Sequence, residues 1–320
     1  MEADMDLDPS QFLDLNRLFF ESEGPEKYFL GRLRLLALDA SGNLPDGDLT
    51  VDRFTLHLND VDQGHEFASI EAVNLLHHCA ETSLRLFFAL EPPSQCPSLE
   101  IARIRGPREF KERVQQYLDA AINERLSRCR SVLATPGQAQ VDESMFLGAI
   151  ESMQALLFFA ARRLLGDSNL YNSTKHGLNV RSDDMRIGLD IEPIETEGVG
   201  VQGPIHNHPL LRRSGPWLSG YESIRSDSRG RHVWVQTKVA VKLDSVLTEV
   251  SYLATLIGSM WAVGKCRFAG ETTANVTLPV KDDIQDLLND EERGVRKVRR
   301  ELLYTNGGIQ TITIEIGLIQ

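Results

Sequence analysis

Cysteine is scarce and carries no pattern. Four occur in 320 residues, Cys79, Cys96, Cys129 and Cys266, and no two stand at C-x-x-C spacing. That usage predicts reduced thiols in a cytoplasmic protein and no zinc site built from them. No uninterrupted apolar run approaches the ~18 residues needed to cross a bilayer, so no membrane partner is expected. The first residues, Met1-Glu2-Ala3-Asp4-Met5-Asp6, are acidic where a secretory signal would be basic and then apolar. No G-x-G-x-x-G, P-loop or G-x-S-x-G pattern occurs. Gly198 to Gly203 is glycine-rich but lacks a lysine and a strand-to-helix context, and reads as a turn. No cofactor and no metal are expected.

Composition is otherwise ordinary, with 42% hydrophobic and 25% charged residues, which excludes disordered and collagen-like classes. Length predicts about two domains, with enough chain to bury cores without staples. The net charge of −12 opposes indiscriminate nucleic-acid binding. The charge is uneven. Residues 1–30 hold eight acids against two bases, 101–131 hold eight bases against four acids, and 205–242 hold seven bases against two acids. Such basic stretches fit either a local polyanion contact or plain solvated faces.

The first half reads as helices. Ser10 can cap a short helix through Leu18-Phe19-Phe20, and Pro25 suits the first turn of a second one carrying Phe29, Leu33 and Leu36. Residues 41–48 are a loop by their turn residues. Residues 49–60 fit a short helix or a strand. A long helix runs from about Glu66 to Leu90 and stops at Pro92-Pro93. A second is expected from Pro107 toward Leu133. A third starts at Asp142 as N-cap and runs to about Leu165, with an apolar stripe wide enough for the centre of a bundle. Near residue 182 the period changes. Met185, Ile187, Leu189 and Ile191 alternate with polar or small residues, as do Val233 to Leu243 and Ile312 to Leu318. A Gly/Pro-rich connection separates the first two. A helix follows from Asp244 or Ser245 through Trp261, and Asn306-Gly307-Gly308 signals a hairpin. The expected fold is a mainly α helical bundle over 1–182, with an acidic N-terminal arm, followed by an α+β region over 183–320 with an antiparallel sheet.

The candidate chemistry sits just after the third helix, in Tyr171-Asn172-Ser173-Thr174-Lys175-His176-Gly177. An amide, an ammonium and an imidazole fall within six residues. His176 can give or take a proton at neutral pH. RNA cleavage needs such a group, to accept the proton of the attacking 2′-hydroxyl, and donors to hold the charge that develops. In a continuous helix Asn172 and His176 share a face, and Lys175 lies a quarter turn away. The helix over 66–90 offers a second surface, where Asn74, His77, His78, Glu81 and Arg85 fall on one side. Beside His176, Glu81 could orient the imidazole and Arg85 could bind phosphate. The competing assignment for both groups is capping and a solvated bundle face. His77 and Glu81 have ligand spacing but no third ligand, and His206-x-His208 has no acidic or cysteine companion.

A long apolar helix followed by a polar residue, three further residues and a histidine resembles the HEPN superfamily of small helical bundles. The resemblance covers about 66–178. Its signature is an arginine separated from a histidine by four to six residues, the residue after the arginine often being polar. Asn172 matches the polar position and His176 the histidine. Tyr171 occupies the arginine position, with Leu170 and Asn169 at the two earlier alternatives, so the arginine is absent. The resemblance implies a metal-independent endoribonuclease or RNA-binding effector of prokaryotic defence, acting as a homo-oligomer, with His176, Asn172 and Lys175 catalytic and Glu81, Arg85, Tyr171 and His78 binding. Family members without the arginine often serve as binding modules. The alternative is therefore a non-catalytic protein-interaction or dimerisation module.

Overall fold

The computed structural model describes residues 8–41, 48–51, 54–57, 64–104, 106–135, 142–166, 171, 180–188, 212–224, 233–292, 295–305 and 308–318. The described chain is mainly helical. It forms two compact units drawn from three stretches each: 1–37, 75–168 and 247–287 in the first, 38–74, 169–246 and 288–320 in the second. The single cut expected near residue 182 differs from this division, because the apolar helix following residue 243 packs into the helical unit.

In the first unit, α1 (Pro9–Glu21) starts on a capping box. Asp8 accepts from the backbone N–H groups of Ser10 at 2.8 Å and Gln11 at 3.0 Å, and Gln11 returns the bond to Asp8. The cap is therefore Asp8 rather than Ser10, with Pro9 in the first turn where its missing N–H costs nothing. α2 (Glu26–Ala40) buries Phe29 and Leu36. α3 (Gly64–Leu90) contributes its part from Leu75 onward and ends, as the prolines require, just before Pro92-Pro93. A short α4 (Pro97–Arg103) lies in a stretch the sequence reading leaves unassigned.

The helix expected over 107–133 is two helices, α5 (Pro107–Asp119) and α6 (Ile122–Leu133). Ala120 and Ala121 between them are extended, with ψ of 146° and 149°. Arg125 turns back and donates from Nη1 to the carbonyls of Leu118 and Ala120, satisfying the freed end of α5. The break has a packing reason. A straight helix of that length would run roughly 40 Å, whereas the bend lets both segments pack on α7 (Glu143–Gly166). Asp142 caps α7 as expected, accepting from Ser144 and Met145 N–H at 2.9 and 3.1 Å. The Ser144 hydroxyl, which also donates to Asp142, together with those two bonds holds its carboxyl below the usual range.

The core lies among α3, α5, α6, α7 and α8 (Leu243–Gly264), with Leu84, Phe87, Met153, Leu157, Val250, Leu253 and Ile257 fully buried. Each such side chain contributes about 1.5–3 kcal/mol of burial. The helices 143–166 and 243–269 are each long and apolar enough by composition to span a bilayer, but half or more of each apolar window is buried inside the protein. α8 continues into a π-helical turn (Lys265–Ala269) that ends at Gly270, whose φ of 83° suits glycine. Within that turn Arg267 Nη1 donates to the carbonyls of Leu90 and Val132, both at 3.1 Å. One guanidinium thus closes the carbonyl ends of α3 and α6. α9 (Lys281–Glu292) follows an extended stretch pinned to α8 by Ser259, which donates to the Thr277 carbonyl at 2.8 Å and accepts from its N–H at 3.1 Å.

In the second unit β1 (Asp48–Val51) pairs antiparallel with β2 (Phe54–His57), so the described part of 49–60 is strand. The remaining strands are β3 (Val180–Gly188), β4 (Arg212–Ile224), β5 (Val233–Ala240), β6 (Val295–Thr305) and β7 (Gly308–Leu318). Backbone pairing follows that order and each described pair is antiparallel. Along β5, Val235, Val239 and Ala240 are buried while Gln236, Thr237 and Lys238 are half-buried. β4 falls where the sequence suggests a Gly/Pro-rich connection. Pro216 is tolerated there because it faces Asp184 of β3, while pairing with β5 begins only at Trp217.

The joint between α1 and the end of α8 gives a test. A Cβ on Gly264 would stand 2.5 Å from Phe20 Cζ. Phe20 cannot swing away, since its ring lies 4.7 Å from Trp261 and 5.0 Å from Phe19. Alanine would gain about 1 kcal/mol of helix propensity but incur about 1–3 kcal/mol of overpacking. Gly264→Ala is therefore expected to lower stability in urea denaturation. A stabilised variant would show that the joint has room.

Candidate functional site

The polar side of α3 is not a solvated face. His77 is buried, with 5% of its surface exposed, while Asn74, Glu81 and Arg85 are half-buried. His78 is exposed but lies edge-on to Tyr28 at 5.8 Å and Phe29 at 5.2 Å. It packs α2 on α3 as much as it faces solvent.

Arg85 is the proposed phosphate cation, and its environment bears directly on that role. Its Nε donates to Glu81 Oε1 at 2.8 Å, and its Nη1 to the Ile104 carbonyl at 2.8 Å. Its plane lies 4.2 Å from the centre of the Phe110 ring. One face, one edge and one terminal nitrogen are thus engaged within the bundle. The i,i+4 pairing with Glu81 is the expected one. It engages Oε1 of the Glu81 carboxylate. The structure brings Glu81, Arg85 and the α4–α5 connection together, in an arrangement that docks helices.

Asn172, Lys175 and His176 lie outside the described residues, as do His206 and His208. Tyr171 is described, half-buried and helical, and belongs to the second unit. Among the described residues no group of His, Cys, Asp or Glu is placed to hold a metal ion. All four cysteines are free and buried. Burial pushes the Cys79 thiol well up and the Cys129 thiol up to about 12, so neither presents a thiolate at neutral pH.

One charged pair escaped the sequence reading. Arg163 of α7 donates from Nη2 to both carboxylate oxygens of Glu249 on α8, at 2.7 and 2.9 Å. Their side chains are 7% and 0% exposed. The signal was present: Glu249 interrupts the stripe of Val246, Val250, Leu253 and Ile257, and Arg163 stands beside Ala160 and Leu164 on that of α7. A charge on the apolar stripe of each of two apolar helices calls for a buried partner.

Among the described residues two clefts open in the first unit. One of about 370 Å³ lies at the C-terminal end of α3, beside α1, α4 and α5. The other, about 480 Å³, lies between the end of α6, the start of α7 and the extended residues 274–277, and is lined by Phe146, Met145 and Val276. Comparison with protein-family models, with curated proteins and with solved structures finds no match to this chain.

The contacts of Arg85 make a clear expectation. Arg85→Ala should cost about 2–3 kcal/mol in urea denaturation, from the lost charge-assisted bonds and the ring contact. Arg85→Lys should restore only part of it, since an ammonium cannot span Glu81, a carbonyl and a ring at once. A loss below about 0.5 kcal/mol would mean the guanidinium is free for another partner.

Proposed function

We propose that the chain is a HEPN-like helical binding module that works without catalysis, with a protein partner or a second copy of itself as its ligand. The observation that carries this reading is the engagement of Arg85 by Glu81, the Ile104 carbonyl and Phe110. The motif arginine is missing from the sequence, and the residue best suited to replace it serves packing. Strands β3–β7 form the antiparallel α+β region attached to the bundle in this reading. The setting is cytoplasmic, and the acidic stretch 1–30, whose described part forms α1 and the start of α2, meets a basic partner surface.

The second reading is a metal-independent endoribonuclease or RNA-binding effector of prokaryotic defence. The sequence cluster Asn172, Lys175 and His176 favours it, with His176 as the proton-transfer group and Asn172 and Lys175 holding the phosphate. In that case catalysis proceeds without Arg85.

Labelled RNA incubated in EDTA with the purified protein and with His176→Ala separates the two. The binding-module reading predicts equal inertness of both proteins across single-stranded and structured RNAs. Cleavage by the parent that disappears in the variant would replace it with the nuclease.

A further inference from the structure

One wall of the cleft of about 480 Å³ is open backbone. Leu133 at the end of α6, Met145, Phe146 and Ala149 on α7, and residues 274–277 line it. Phe146 is buried, whereas Met145 is 71% and Val276 37% exposed.

Residues 273–280 run without a turn or bend. Thr277 directs both its N–H and its C=O to Ser259 on α8. In an extended strand neighbouring residues direct these groups to opposite sides. The N–H and C=O groups of Val276 and Leu278 therefore face away from α8. Among the described residues none of those four groups makes a hydrogen bond. Pro279 favours an extended Leu278 before it and, lacking an N–H, ends the run. The stretch is a short unpaired strand edge, the feature to which another extended chain adds by backbone pairing.

The surroundings select the charge of that chain. Residues 142–151 and 271–286 hold seven acids against one base. The base, Lys281, is bound to Glu151 at 3.1 Å, and Glu271 stands 3.6 Å from Lys265. Arg130, 5.8 Å from the centre of the Phe146 ring, is the opposing charge. Asp142 and Glu143 at the start of α7, and Asp282 and Asp283 at the start of α9, are exposed. A second copy of the chain would set these acids against its own, whereas a chain bearing lysine or arginine meets opposite charge.

We propose that an extended basic segment of a partner protein pairs with the backbone of Val276 and Leu278. Its apolar side chains enter the cleft beside Met145 and Phe146, and its alternate lysines or arginines meet the acids. Backbone pairing supplies affinity, and the cleft and the acids select the sequence. This names a partner surface for the binding-module reading and rests on that reading.

A fluorescein-labelled Lys-Val-Lys-Val-Lys-Val peptide tests the proposal on the full-length protein. Anisotropy should rise saturably below about 1 mM protein. In the ¹⁵N-labelled protein the amides of Val276 and Leu278 should shift more than that of Thr277, which is already bonded. N-methylating every second peptide residue, in one of the two possible sets, should weaken binding at least about tenfold, as should Val276→Pro, which removes a donor. The Glu-Val counterpart should bind at least about tenfold more weakly, and added salt should weaken the basic peptide. If Val276→Pro does not fold, the two N-methylated peptides decide. Absence of saturable binding overturns the proposal, as does equal binding of the acidic peptide or of both N-methylated ones. Shifts confined to residues 8–30 would give the basic partner to the acidic stretch there instead. Self-association that Val276→Pro abolishes would give the edge to a second copy and overturn the proposal too. Failure of the peptide strikes this site alone, because the binding-module reading stands or falls with the RNA assay.

Discussion

The Arg163–Glu249 pair constrains the whole helical unit. Taking two ions out of water costs several kcal/mol each, and only close geometry with further bonds recovers it. The guanidinium reaches both carboxylate oxygens within 2.9 Å, so α7 and α8 must stand in one register for either charge to be tolerated. The rest of α8 and its π-helical turn inherit that register. Trp261 then meets Phe19 and Phe20 of α1, and Arg267 reaches the carbonyl ends of α3 and α6. A stretch nearly ninety residues downstream in sequence is thereby built into the first unit.

Arginine does similar work elsewhere in this unit. Arg85, Arg113, Arg125 and Arg128 each lie over an aromatic ring, and each also donates to a carbonyl or a carboxylate. The guanidinium suits this because its planar face stacks while its edge donates. Much of the basic excess of 101–131 is therefore turned inward. What reads in the sequence as a candidate polyanion surface is, for Arg113 and Arg125, the means of closing helix ends, and for Arg128 an ion pair with Glu91.

The elements legible in the sequence are those set by local chemistry. The Asp142 cap, the stop of α3 before Pro92-Pro93 and the apolar period of α7 and α8 each depend on neighbours within a few residues. The break at Ala120-Ala121 does not. Two alanines are good helix formers, and only the gain from packing both α5 and α6 on α7 overrides that preference. β4 was hidden because Pro216 and Gly215 look like turn residues until pairing with β3 and β5 shows where a missing N–H is harmless. The role of Arg85 was legible only in part. Its spacing from Glu81 gave the ion pair, but the Ile104 carbonyl and the Phe110 ring come from elements 19 and 25 residues away. The candidate cluster Asn172, Lys175 and His176 rests on sequence chemistry and falls outside the described residues.

A double-mutant cycle in urea on Arg163→Met and Glu249→Leu tests the account most directly. Each single replacement leaves a buried charge alone and should cost about 3–5 kcal/mol. The double replacement should cost far less than the two losses together, with a coupling of about 2–3 kcal/mol. Additive losses, or single losses below about 1 kcal/mol, would show that α7 and α8 hold their register without the pair.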